Sequence, residues 1–142
     1  MNIGRLALAV TVGALAAAIA PAAQAQEQSL SIELNDAAAL EGACRLVFVA
    51  VNKTGVVLDK TSYDVITFDA TGKVGQSLAF QFGKLPVGKT KVVKFDLAGQ
   101  SCDTISRLLV NDASECQVDG KASEVCLDAL TTSTRTKIEF GL

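Results

Sequence analysis

Gly83-Lys84-Leu85-Pro86-Val87-Gly88-Lys89-Thr90, running on into Lys91-Val92-Val93-Lys94-Phe95-Asp96-Leu97, is the stretch on which the fold turns. Its first eight residues fit G-x-x-x-x-G-K-[ST], the nucleotide-binding P-loop. A P-loop holds phosphate on successive backbone N–H groups and on the N-terminus of the helix that follows it. Here the following residues alternate with period two, Val93, Phe95 and Leu97 on one side, and are rich in β-formers. A strand is therefore expected where the motif needs a helix. No convincing Walker-B aspartate follows an apolar run either, so the segment reads as a hairpin turn in an all-β chain, and no nucleotide partner is expected.

The alternation extends outward from this point. Val74, Gln76, Leu78, Phe80 and Phe82 form the strand before it, and Tyr63 to Asp69 the strand before that, ended by the turn signal Asp69-Ala70-Thr71-Gly72. Cys44, Leu46, Phe48 and Ala50 alternate with Arg45, Val47, Val49 and Val51. Both faces of that strand are largely apolar, which predicts a central position in a sheet. Asn52 to Gly55 turns the chain, and Leu30, Ile32 and Leu34 mark a first strand. Beyond Ala98 the pattern loosens: a helical turn passing into a strand over Thr104 to Val110, a short helix over Ser123 to Leu130, and a closing strand over Thr136 to Phe140. Short strands about ten residues apart with turns between them predict a β-sandwich.

Residues 1–25 read as a cleaved secretory signal peptide. Met1 to Arg5 is a short basic region, Leu6 to Ala20 an apolar run, and Ala23-Gln24-Ala25 a small-x-small cleavage site. The run is short and alanine-rich and no stop-transfer flank follows, so no stable membrane anchor is expected after cleavage. Residues 26–142 then form one β-sandwich domain in the periplasm or outside the cell. The chain has no histidine and no tryptophan, and after cleavage its acidic side chains outnumber its basic ones. That balance argues against nucleic acid as a partner.

From Cys44 to Leu97 the chain resembles the small extracytoplasmic immunoglobulin-like modules of the FxLYD type. The matching residues are Phe68-Asp69-Ala70-Thr71-Gly72-Lys73-Val74 and Leu85-Pro86-Val87-Gly88-Lys89-Thr90. The Leu-Tyr element that precedes them in those modules is missing, and the cysteine-bearing tail after Gly99 lies outside the pattern. The resemblance implies an immunoglobulin-like antiparallel sandwich and no activity, because such sandwiches host unrelated functions.

Four cysteines remain, Cys44, Cys102, Cys116 and Cys126, with no C-x-x-C among them. In an exported chain an even count predicts two structural disulfides. Three pairings are possible. Cys44 with Cys102 and Cys116 with Cys126 is favoured, the first tethering the tail to the central strand and the second closing a polar loop, so that the sandwich carries a short helical, disulfide-stapled C-terminal segment.

Catalytic signals are weak. Without histidine there is no Ser-His or Cys-His pair and no imidazole metal site. Ser77, in Gly75-Gln76-Ser77-Leu78-Ala79, is one residue short of a G-x-S-x-G elbow and reads as a strand serine. Asp112, Glu115, Asp119, Glu124 and Asp128 lack calcium-loop spacing and read as a solvated acidic segment. No catalytic residue, cofactor or metal is assigned, and the chain is read as a non-enzyme. Lys84, Lys89, Lys91 and Lys94 crowd one region, where they either guard a sheet edge against aggregation or attract a partner. The sequence thus predicts a non-catalytic exported binding or assembly module with a possible protein partner in the bacterial envelope. The surface around Lys84 to Lys94 is its first candidate site and the Cys116–Cys126 loop its second. A structural or envelope-stress protein without a discrete ligand is the alternative, and a hydrolase comes third.

Overall fold

The structure, a computed structural model, describes residues 27–142; the signal-peptide reading of residues 1–25 lies outside the described residues. Nine strands are arranged in two sheets: β1 (Ser29–Leu40), β2 (Ala43–Lys53), β3 (Lys60–Phe68), β4 (Val74–Gln81), β5 (Thr90–Ala98), β6 (Arg107–Val118), β7 (Lys121–Ala122), β8 (Leu130–Thr134) and β9 (Glu139–Gly141). A 3-10 turn spans Cys102–Thr104, and the one α-helix among the described residues, α1, is Val125–Asp128. The first sheet has the order β5-β2-β1-β8. The second has β4-β3-β6-β7, with β9 also paired to β6. Together they make an all-β sandwich.

The period-two rows build its core. Leu30, Ile32 and Leu34 of β1 and Cys44, Leu46, Phe48 and Ala50 of β2 point inward and are at most 1% exposed. Tyr63 and Val65 of β3, Phe80 of β4, and Leu108 and Val110 of β6 meet them from the other sheet. Phe48 lies at the centre of an aromatic cluster, 5.5 Å from Phe80, 5.8 Å from Phe82, 5.9 Å from Phe95 and 5.2 Å from Phe140 between ring centroids. β2 lies between β1 and β5, the central position its doubly apolar sequence predicts. Its outer row of Val47, Val49 and Val51 is half-buried rather than covered by another layer.

Two features depart from the sequence reading. β1–β8 and β6–β9 are parallel pairs, so the antiparallel expectation holds for the remaining pairings and not for these two. Both involve C-terminal strands that arrive after long excursions, and a parallel neighbour requires such a connection. The second departure concerns Gly83–Thr90. β4 and β5 belong to different sheets, so the segment crosses between sheets instead of forming a hairpin.

Buried Asn52 anchors that crossing. Its side-chain amide donates to the carbonyls of Leu85 and Val56, both at 2.8 Å, and its Oδ1 accepts from the amide (3.0 Å) and hydroxyl (2.7 Å) of Thr54. The Leu85 N–H donates to Leu58 and the Gly88 N–H to Asn52. Backbone donors that a P-loop would aim at phosphate are thus committed to neighbouring carbonyls, and a strand, β5, follows where that motif has a helix.

Two disulfides staple the tail, Cys44–Cys102 with a Cα separation of 4.9 Å and Cys116–Cys126 with 5.9 Å. Among the described residues no helix is long and apolar enough to cross a membrane.

Candidate functional site: an open sheet edge

The four lysines are divided between the crossing and the two faces of β5. Lys84 and Lys89 are exposed on the inter-sheet crossing, and Lys94 lies on the outer face of β5. Lys91 alternates to the opposite face, where its Nζ donates to the carbonyls of Phe82 (2.6 Å) and Lys84 (3.3 Å). It braces the end of β4 from the neighbouring sheet, and this fixes it structurally. The second candidate, the loop closed by Cys116–Cys126, borders a groove of about 460 Å³ between β6 and α1. Asp112, Glu115 and Glu124 line it, and Lys60 neutralises Glu115 in part at 3.3 Å. Among the described residues no three of His, Cys, Asp and Glu are grouped to hold a metal ion.

Ser77 is part of a hydrogen-bonded surface row. Its hydroxyl donates to Asp64 Oδ1 at 2.7 Å, and Asn111 donates to the other carboxylate oxygen at 3.1 Å. This row lies on the outer face of the second sheet, where Ser77 is exposed. The turn that carries the family resemblance is well built: Asp69 Oδ1 accepts from the Thr71 amide (2.9 Å), the Thr71 hydroxyl (2.6 Å) and the Lys73 amide (3.0 Å). These bonds, that of the Thr71 hydroxyl foremost, hold the Asp69 carboxyl below its ordinary range.

The most unusual feature is the backbone of β4. Among the described residues this strand has one neighbour, β3. The Phe82 N–H donates to the Thr61 carbonyl at 2.9 Å, and the register pairs Tyr63 with Phe80 and Val65 with Leu78. Antiparallel ladders alternate the direction of their backbone groups, so Phe80 and Leu78 bond to β3 while Ser77, Ala79 and Gln81 turn their N–H and C=O groups to the open side.

Both ends of this edge are defined. On one side a bulge inserts an extra residue at Gly75-Gln76 opposite Thr67. The Gln76 N–H donates to Thr67 Oγ1 at 2.8 Å, and a Cβ on Gly75 would lie 2.5 Å from the same oxygen, which is why glycine stands there. On the other side Gly83, at φ +70°, turns the chain out of the strand.

Val74 to Phe82 contains no charged residue and no proline. Edge strands are ordinarily blunted by charge, proline or cover. The neighbouring edge, β5, carries Lys91, Lys94 and Asp96. β8 is in contact with β9. Beyond its bulge at Gly75-Gln76, β4 therefore presents Ser77–Gln81 as a pairing edge without charge or proline. The informative signal in the sequence is the missing charge one strand before the lysines.

Comparison of the chain with models of known protein families, with curated proteins and with solved structures gives no match.

Proposed function

We propose that the chain is an exported, non-catalytic binding or assembly module of the bacterial envelope that takes its partner by strand addition along β4. The observation carrying this reading is the outward-facing, uncharged backbone of Ser77, Ala79 and Gln81. Strand addition draws affinity from main-chain hydrogen bonds and specificity from the alternating side chains. The immunoglobulin-like resemblance is compatible with such a role, and two disulfides suit an oxidising compartment.

The test places a charge on the edge. Ala79→Lys puts an ammonium on the open strand; Val92→Lys puts one on the outer face of β5, where Val92 is already 56% exposed. Both proteins and the wild type are immobilised and exposed to native envelope extract. The expected result is a specific protein held by the wild type and by Val92→Lys and lost with Ala79→Lys. A partner retained equally by all three would remove β4 from the reading.

A further inference from the structure

Resting on the strand-addition reading, we propose that the strand added to β4 is β4 of a second copy, antiparallel, with the two-fold axis passing beside Ala79.

The argument is self-complementarity. Only alternate residues of β4 face the open side, and between the bulge at Gly75-Gln76 and the turn at Gly83 they are Ser77, Ala79 and Gln81. This set is symmetric about its middle member. A two-fold axis there sets Ala79 against Ala79 of the partner copy and Ser77 against Gln81 of the partner copy, so every outward N–H meets an outward C=O. Matched residues across an antiparallel pair share a face. On the outer face a small residue meets itself and polar meets polar. On the inner face Leu78, half-buried here, meets the already buried Phe80 of the partner copy. No like charges are brought together, because the strand has none. The pairing joins two five-stranded sheets into one continuous sheet, an isologous interface of the commonest symmetry.

Asp64 lies opposite Ala79 on β3, so a lysine at position 79 gains a neighbouring carboxylate within its own chain and a glutamate meets a like charge. Far-UV circular dichroism and thermal melting of each variant therefore accompany the measurement. Sedimentation velocity of the oxidised mature chain from micromolar to millimolar concentration is expected to show a monomer–dimer equilibrium. Ala79→Lys and Ala79→Glu, each alone, should sediment as folded monomers. Their equimolar mixture should recover the dimer, because only residue 79 of one copy facing residue 79 of the other converts two repulsions into one ion pair. Wild-type monomer throughout that range overturns the self-pairing, as does a mixture that stays monomeric. A monomeric wild type that still holds an envelope protein lost on Ala79→Lys shows strand addition to be right and the second copy wrong. A wild-type dimer that Ala79→Lys leaves intact places the dimer contact elsewhere and overturns the β4 axis.

Discussion

Tyr63 is the only tyrosine in the chain, and its hydroxyl donates at 2.7 Å to the carbonyl of Cys126, which sits in α1. The side chain is 1% exposed, and burial pushes the phenol well above its ordinary pKa. A folded-state pKa raised above the unfolded one favours the neutral phenol in the native state. The corresponding stability is fully present below the unfolded value, about 10, and is lost as pH rises beyond it. Phenolate absorbance should accordingly appear together with alkaline unfolding, as one cooperative step. Tyr63→Phe keeps the ring and leaves the Cys126 carbonyl without this donor. Urea unfolding should show a loss of about 1–3 kcal/mol, the cost of an unpaired buried acceptor. An unchanged midpoint would mean that another donor reaches this carbonyl. The sequence places Tyr63 correctly in the third strand. It gives no sign of a partner so far along the chain, because period-two patterning reports which face a residue takes and not what waits on that face.

At the scale of elements, legibility follows apolar content. β1, β2 and β5 were readable because their inner rows are unbroken. β8 was not, since Leu130-Thr131-Thr132-Ser133-Thr134 offers a single apolar residue and gains strand geometry from pairing with β1. β6 is interrupted by register shifts opposite Ser62/Tyr63 and Asp64/Val65, which spoil its alternation over Asn111 to Ser114. The open edge of β4 was half-legible: the missing charge is plain in the sequence, whereas the absence of a neighbour is a property of sheet order. α1 is the element least able to stand alone. It has four residues, far short of what an isolated helix needs, and Glu124 at its N-cap makes no side-chain cap bond. The Cys116–Cys126 bond holds it to β6. Its sequence separation of 10 corresponds to about 3 kcal/mol of loop-closure entropy, and the separation of 58 for Cys44–Cys102 to about 4 kcal/mol. Replacing Cys116 and Cys126 together by alanine should lower stability by about 3 kcal/mol. Amide exchange should quicken at Leu127, Asp128 and Ala129, whose N–H groups donate within this turn, while β2 and β5 keep their protection. Equal quickening in β2 would show that the bond supports the whole sandwich instead of one corner.

The molecule as a whole is closed by its last thirteen residues, 130–142. β8 runs parallel to β1, Leu30 facing Leu130, and β9 runs parallel to β6, so each sheet receives one neighbour from the extreme C-terminus. These strands touch one another across the sandwich and shut the side opposite β4 and β5. Such pairings close very long loops, and topologies dominated by them fold slowly, because closure entropy is spent before the contacts form. The tail also completes the core: Leu130 is 8% and Ile138 4% exposed, and Phe140 packs 5.2 Å from Phe48. At about 2 kcal/mol per buried side chain, these three contribute about 6 kcal/mol, the scale of a small domain's entire net stability. A chain ending at Ala129 also bares the edge of β1 along Leu30–Leu34 and leaves β6 paired to β3 alone at Arg107–Leu109. It should lose cooperative urea unfolding and aggregate at concentrations where the full chain stays dispersed. A truncated protein that still unfolds in one transition within about 1 kcal/mol of the full chain, the size of an ordinary point-mutation effect, would show that β1 to β7 hold the sandwich unaided. The contrast with β4 is the physical point. One side of this sandwich is closed by the chain's own C-terminus; on the other, β5 carries Lys91, Lys94 and Asp96, while β4 turns its backbone groups outward with no charge of its own to guard them.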